Sequence, residues 1–234
     1  MVSKNKAISI LEDLVIYPKV HPQHYLIHKY WGRKPHNLIY EYLNIFTKEN
    51  DTVLDPFMGS GGAVIESNKL KRKSIGVDIN PMSVMIVNET LKKVDLTKLT
   101  NTFQKILEEL PEDIKNLQQV ERNGELCIIE NAVWIGDKLK RVKINYKGKS
   151  IRRNANKVDL EKNETAKKLL KKYKNEVSYS TDQIMRYVKR NQKEHINELF
   201  SDRNILIAGW FLKKFENLTD KEISESLKFI FTSA

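Results

Sequence analysis

The segment from Thr52 to Asp78 constrains the fold of this chain more than any other. Thr52-Val53-Leu54 is a short apolar run suited to a buried strand, and it leads directly into Asp55-Pro56-Phe57-Met58-Gly59-Ser60-Gly61-Gly62. Ala63, Val64, Ile65 and Leu70 then open a helix, and Ser74-Ile75-Gly76-Val77-Asp78 reads as a second strand. Strand, glycine turn, helix and strand in that order make a βαβ unit of a parallel, doubly wound α/β sheet. The glycines let the backbone approach a ligand without a Cβ in the way, and the acid ending the second strand can accept both hydroxyls of a ribose. The loop reads Gly-Ser-Gly-Gly, which is not the dinucleotide spacing, and no Lys-Ser/Thr pair follows to make a Walker loop.

Ahead of this unit, Ile10, Leu14 and Val15 give an amphipathic start, and His21 to Pro35 is a polar-aromatic stretch that reads as a loop. Pro35 suits the first turn of a helix, in which Leu38, Ile39, Tyr42, Leu43 and Phe46 recur at helical spacing. Beyond the unit, Pro81 opens a helix with Val84, Met85, Val87 and Leu91. Phe103, Ile106, Leu107 and Leu110 mark another before Pro111. The period then changes. Leu126 to Ile135 and Arg141 to Tyr146 alternate around Gly136-Asp137 as a β-hairpin, and Lys147 to Lys193 is lysine-rich and weakly helical around Leu169, Leu170 and Tyr173. Ile205 to Phe215 is an almost entirely apolar helix. Thr219-Asp220-Lys221-Glu222 reads as a capping box for a last helix with Ile223, Leu227, Ile230 and Phe231 on one face. The apolar faces of these two helices are expected to be exposed, and no stop signal follows, so the chain reads as cut inside a larger fold. The pattern divides the chain into a Rossmann-like region, residues 1–123, a basic insertion, residues 124–195, and a helical return, residues 196–234.

The formal charge of +11 suits a polyanionic partner. Its distribution is sharper than its total, because Lys138 to Lys193 holds nineteen Lys/Arg against five Asp/Glu. The single cysteine, Cys127, excludes an intramolecular disulfide and an all-cysteine metal cluster, and the five histidines lack zinc spacing, so no metal is expected. His21, His24 and His28 read as solvated or capping groups. No apolar run is long enough to span a bilayer, and Glu12 and Asp13 interrupt any signal peptide, so a cytoplasmic protein without membrane contact is expected.

Asp55-Pro56-Phe57-Met58-Gly59-Ser60-Gly61 resembles motif I, D-P-F-x-G-S-G, of the S-adenosylmethionine-dependent amino-methyltransferases that act on adenine N6 or cytosine N4 of DNA. Asp78-Ile79-Asn80-Pro81 resembles the ribose-binding acidic motif that follows it, and His28-Lys29-Tyr30-Trp31-Gly32-Arg33-Lys34-Pro35 resembles the motif that precedes it. The resemblance covers about Tyr25 to Leu91 and implies a Rossmann-like S-adenosylmethionine-dependent methyltransferase fold, present in part. It implies that Asp55, Pro56, Phe57, Gly59, Ser60 and Gly61 hold the methionine part of the cofactor, that Asp78 takes the ribose, and that Ile79 and Asn80 flank the adenine end. Trp31, Lys34 and Pro35 would close the methionine end; cations beside an aromatic and a helix-starting proline suit a carboxylate.

Methyl transfer in this family needs an Asn/Asp/Ser-Pro-Pro-aromatic tetrapeptide, whose polar groups bond the target amine while the ring stacks on the flipped base. The chain contains no Pro-Pro; Asp55-Pro56-Phe57 belongs to the cofactor loop, and Asn80-Pro81-Met82 lacks the second proline and the aromatic. No catalytic residue is therefore assigned. The chain is expected to be inactive alone, as a portion of a restriction-modification or defence enzyme, with a second chain supplying the missing motif. Relatives with the G-R-K-P opening often carry a cysteine-paired zinc ribbon after the cofactor half. Leu126 to Lys149 has that hairpin rhythm with Cys127 alone, which implies a metal-free version. The basic insertion is then expected to contact DNA phosphates, foremost through Arg152, Arg153, Lys167, Lys168, Lys171 and Lys172; a solvated lysine-rich helix accounts equally for the composition. Two other readings stay open: an RNA guanine-N2 methyltransferase, which uses a similar loop, and a non-catalytic nucleic-acid-binding remnant.

Overall fold

The computed structural model describes residues 15–135, 138–179 and 195–232. It divides the chain into two compact units, Met1–Leu99 with Asp220–Ala234, and Thr100–Thr219. Ile10 and Leu14 of the amphipathic start, the Gly136-Asp137 turn and the lysine-rich residues 180–194 lie outside the described residues.

In the first unit the stretch read as a loop contains one helical turn, α1 (Gln23–Leu26), closed by Tyr25 N donating to Pro22 O at 3.0 Å. Pro35 precedes α2 (His36–Phe46), and β1 (Thr52–Asp55), α3 (Gly62–Lys69) and β2 (Lys73–Gly76) follow in βαβ order. The two strands pair in parallel, Val53 opposite Ser74 and Asp55 opposite Gly76, as a crossover helix between them requires. α3 packs on both strands and α2 packs on α3. α4 (Pro81–Leu91) starts with proline at its first position, and its Val87 joins Met58 and Val64 in a small buried cluster. The opposite face of the sheet is open among the described residues: Leu54 is 61% exposed, and Ile75 and Val77 are each 52% exposed.

α5 (Leu96–Glu108) begins in the first unit and ends in the second. The second unit continues with α6 (Glu112–Lys115), a 3-10 turn, and the strands β3 (Gln119–Arg122), β4 (Glu125–Ile135), β5 (Lys138–Tyr146) and β6 (Lys149–Asn154). These form an antiparallel sheet in sequence order, so the expected hairpin is the centre of a four-stranded meander. Val120, Cys127, Ile129, Val142 and Ile144 are buried together on one face. The single thiol is thus a core residue. α7 (Lys157–Lys172) is regular, with a reciprocal capping box between Asn156 and Asp159.

Two expectations about the last helices are corrected. α8 (Asp202–Glu216) does not expose its apolar face: Ile205, Leu206, Trp210 and Phe215 are buried, α7 packs against it, and Phe103 stacks on Phe211 with ring centroids 6.0 Å apart. α9 (Lys221–Phe231) packs on α4 and buries Ile223, Leu227 and Phe229, while Ile230 of the expected face stays 46% exposed. Its N-cap is Asp220, whose Oδ1 accepts from Ile223 N at 3.1 Å, rather than Thr219 as the capping-box spacing suggested. Among the described residues no helix is long and apolar enough to cross a membrane.

Candidate functional site

The carboxyl ends of β1 and β2 bring the two sequence-predicted aspartates to one edge. Asp55 Oδ1 accepts from Phe57 N at 3.1 Å, which folds the chain back at the start of the glycine loop. Asp78 lies two residues past β2. Its Oδ2 accepts from Gly59 N and its Oδ1 from Asn80 N, both at 2.8 Å, so one side chain ties the glycine loop to the turn that opens α4. The Asn80 and Gly59 amides, in that order, hold the Asp78 carboxyl below its ordinary pKa, and it is ionised at neutral pH. Asn80 also caps α4, its Oδ1 accepting from Met82 N at 3.0 Å.

The glycines are required by packing. Gly59 has φ of +52°, and a Cβ there would stand 3.3 Å from the Tyr30 ring; Gly61 has φ of +78°, and a Cβ there would collide with Val87. Only a residue without a side chain lets the loop turn this tightly between Tyr30 and α4. Three apolar side chains of the expected cofactor set are outside any core: Trp31 is 93% exposed, Phe57 87% and Ile79 fully exposed. Pro56 and Lys34 are exposed, Pro35 is half-buried before α2, and Ser60 is buried.

The residues 28–35 are held to this edge by contacts that motif spacing alone does not reveal. Arg33 Nε donates to Ser60 Oγ at 3.1 Å and its Nη2 to His28 O at 3.2 Å, while Tyr30 Oη and Ser83 Oγ share a hydrogen bond of 3.2 Å. A cavity of about 340 Å³ runs along this segment, lined by His21, Tyr25, His28, Lys29, Tyr30 and Arg33 among others, with no acidic side chain. Such a lining suits an anionic group flanked by aromatic rings.

The basic residues singled out in the insertion separate into two kinds. Arg153 donates both guanidinium ends to Asp159, at 2.5 and 2.9 Å, and the Asp159 side chain is 1% exposed. Lys172 pairs with Asp113 at 2.7 Å, which raises its pKa. Arg153 is tied within the fold, whereas Lys172 is 59% exposed and engaged by a surface ion pair. Arg152, Lys167, Lys168 and Lys171 are exposed. Lys168 lines an open cavity of about 630 Å³ together with Trp134, Lys138, Lys140 and Lys157. Among the described residues no group of His, Cys, Asp and Glu side chains is placed to hold a metal ion.

Residues 4–89, which contain the whole of this edge, match the family model of DNA methylases. Over this segment the chain is similar to that family. The chain is also similar to the type II methyltransferase M.MjaII of Methanocaldococcus jannaschii, with 34% identity over 91 residues, 39% of this chain and 17% of that protein. It is also similar to the type II methyltransferase M1.MboII of Moraxella bovis, 40% identical over 63 residues, 27% of this chain and 24% of that protein. A probable type III restriction-modification Mod subunit, HindVI of Haemophilus influenzae, is 36% identical over 63 residues, 27% of this chain and 8% of that protein. The chain thus spans less than a quarter of the length of each of these relatives. No solved structure matches the chain significantly. The match favours the DNA reading over the RNA one and links the segment to DNA methylation and restriction-modification.

Proposed function

We propose that the first unit binds S-adenosylmethionine and that the chain is the cofactor-binding portion of a cytoplasmic DNA methyltransferase acting on adenine N6 or cytosine N4. The observation that carries this reading is Asp78, whose two oxygens each accept one backbone N–H at 2.8 Å and keep further lone pairs for a pair of ribose hydroxyls. Phe57 and Ile79 beside it are exposed apolar side chains that no packing among the described residues accounts for, as expected of the walls of a nucleoside site. In this reading Asp55, Pro56, Gly59, Ser60 and Gly61 shape the floor under the methionine part, Asn80 orders the turn at the adenine end, and Trp31, Lys34 and Pro35 close the site. When bound, S-adenosylmethionine supplies an electrophilic methyl group. No side chain of this chain is assigned to the target amine, because the Pro-Pro-aromatic tetrapeptide is absent from the sequence.

The chain is on this reading inactive alone, with the tetrapeptide and the rest of a Rossmann-like sheet supplied by further polypeptide, such as a second chain. The open face of Leu54, Ile75 and Val77 supports that, since parallel sheets are covered on both sides. Functionally we divide the chain into a cofactor-binding region, residues 1–123, an insertion, residues 124–195, whose meander stands in for a metal-free zinc ribbon and contacts DNA, and a helical return, residues 196–234. Calorimetric titration of the purified chain with S-adenosylhomocysteine tests the reading. Saturable binding is expected, weakened on the order of 100-fold in Asp78→Ala, which loses two charge-assisted hydrogen bonds of the loop and those to the ribose. A folded chain that binds nothing overturns it.

A further inference from the structure

α3 carries a carboxylate where its pattern calls for an apolar residue. Glu66 is 2% exposed between Ile65 and Ser67, which are also buried. Tyr25 of α1, itself 2% exposed, donates its phenol to Glu66 Oε1 at 2.6 Å, and Lys69 Nζ donates to the same oxygen at 2.8 Å. Burial, then the Glu66 carboxylate, pushes the ionisation of the phenol far above its ordinary range, so the donor is permanent. An apolar pair of similar volume would hold α1 against α3 at least as well, because a buried carboxylate must first be compensated for lost solvation. Packing alone therefore does not explain the pair.

The contacts beyond it do. The Arg33 guanidinium lies 5.5 Å from the centroid of the Tyr25 ring, and Arg33 in turn reaches Ser60 and the His28 carbonyl. A continuous line of contacts thus runs from the middle of α3 through Tyr25 and Arg33 to the glycine loop at the start of the same helix. Residues 27–35 have no regular secondary structure of their own, so their position over Gly59 depends on side-chain contacts of this kind. His21, His24 and His36 surround the Tyr25 ring with centroids 4.6 to 5.9 Å away and exclude water from one side of it.

We propose that the buried Tyr25–Glu66 pair is a positioning brace that fixes the 27–35 segment, through Arg33, over the glycine loop and so sets the affinity of the site for the amino-acid end of its cofactor. The proposal rests on the S-adenosylmethionine reading, and its test separates the two. Full-length Tyr25→Phe, Glu66→Gln and Glu66→Leu are compared with the parent by amide hydrogen exchange of residues 27–34 and by calorimetric titration with S-adenosylhomocysteine. Tyr25→Phe keeps the ring under Arg33 and removes one O–H. It is expected to weaken binding about tenfold and to accelerate exchange across 27–34. Glu66→Leu should behave alike, whereas Glu66→Gln, which still accepts from the phenol, should restore both readouts to near the parent values. Unchanged exchange and affinity in Tyr25→Phe overturn the brace, and so does a Glu66→Gln variant indistinguishable from Glu66→Leu. If the parent binds no S-adenosylhomocysteine, the cofactor reading fails while hydrogen exchange still decides the brace. Should Tyr25→Phe fail to fold, Arg33→Met cuts the same line outside the core; it should accelerate exchange across 27–34, and its failure to do so overturns the proposal.

Discussion

The two sheets of this protein bury their side chains in opposite ways. The four-stranded antiparallel sheet of the second unit has one dry face, with Val120, Cys127, Ile129, Val142 and Ile144 at 5% exposure or less, and a second face where Leu126 and Ile128 meet solvent. That is a complete solution for an antiparallel sheet, which tolerates water on one side. The parallel pair of the first unit has no fully buried residue in either strand, and its buried cluster is built from the loop and the helices instead. A parallel sheet is ordinarily covered on both faces, so Leu54, Ile75 and Val77 sit where a larger sheet would place a core. The difference teaches that the site and the stability of this chain reside in different places: the edge carrying Asp55 and Asp78 belongs to the less buried sheet, and the self-sufficient packing belongs to the basic one.

The largest expected effect falls on the joint between β6 and α7. Asp159 accepts from both ends of Arg153 and from Asn156 N at 2.8 Å, so Asp159→Ala leaves a partly buried guanidinium without its partner and removes a helix cap. A loss of about 4–5 kcal/mol in chemical denaturation is expected. A loss under about 1 kcal/mol would mean that α7 is not fastened to the meander by this pair, and the second unit would no longer count as the well-fastened one. Ile144→Ala comes next. Ile144 is 1% exposed and sits opposite Ile129 on one side and Ile151 on the other, so about 2–4 kcal/mol is expected from the same measurement, as for other large-to-small changes in a closed core.

The parts of the molecule that local rules govern were legible in the sequence, and those that depend on pairing were not. The strand, glycine loop, helix and strand between Thr52 and Gly76 could be read because each element has its own local signal. β3 and β6 could not. Gln119-Val120-Glu121-Arg122 and Lys149-Ser150-Ile151-Arg152-Arg153-Asn154 hold one apolar residue each and become strands because β4 and β5 offer them an edge. Arg152 and Arg153 look alike in sequence, yet alternation along β6 sends them to opposite faces, one exposed and one onto Asp159. At the candidate site Asp55, Gly59 and Asp78 were legible from strand ends and turn chemistry. The Tyr25–Glu66 pair, 41 residues apart in the chain, was not, since nothing in the neighbourhood of either residue announces the other.

That division of the basic residues gives the third prediction. If the second unit binds DNA, neutralising Arg152, Lys167, Lys168 and Lys171 together should lower the slope of log K against log salt by up to about 0.9 for each phosphate no longer engaged. Neutralising Lys172, exposed but paired with Asp113, should change the slope by less than neutralising any one of those four. An unchanged slope in the fourfold variant removes the proposed DNA role of this face and leaves a solvated lysine-rich helix.

The smallest effect on stability is expected on the open face of the parallel sheet, and it bears most directly on the comparison. Leu54→Ser with Ile75→Ser replaces two side chains that are already 61% and 52% exposed, so the folded state loses little burial and the change in unfolding free energy should stay within about 0.5 kcal/mol. Denaturation at two protein concentrations a hundredfold apart decides it, because a face hidden by self-association makes the parent, but not the variant, more stable as concentration rises. A concentration-independent difference near zero means that the face is wet in the isolated chain, as the proposal of further polypeptide covering it requires. A cost of about 2 kcal/mol or more at low concentration means that these side chains are covered within a single chain, and the contrast between the two sheets would then collapse into two ordinary cores of unequal size.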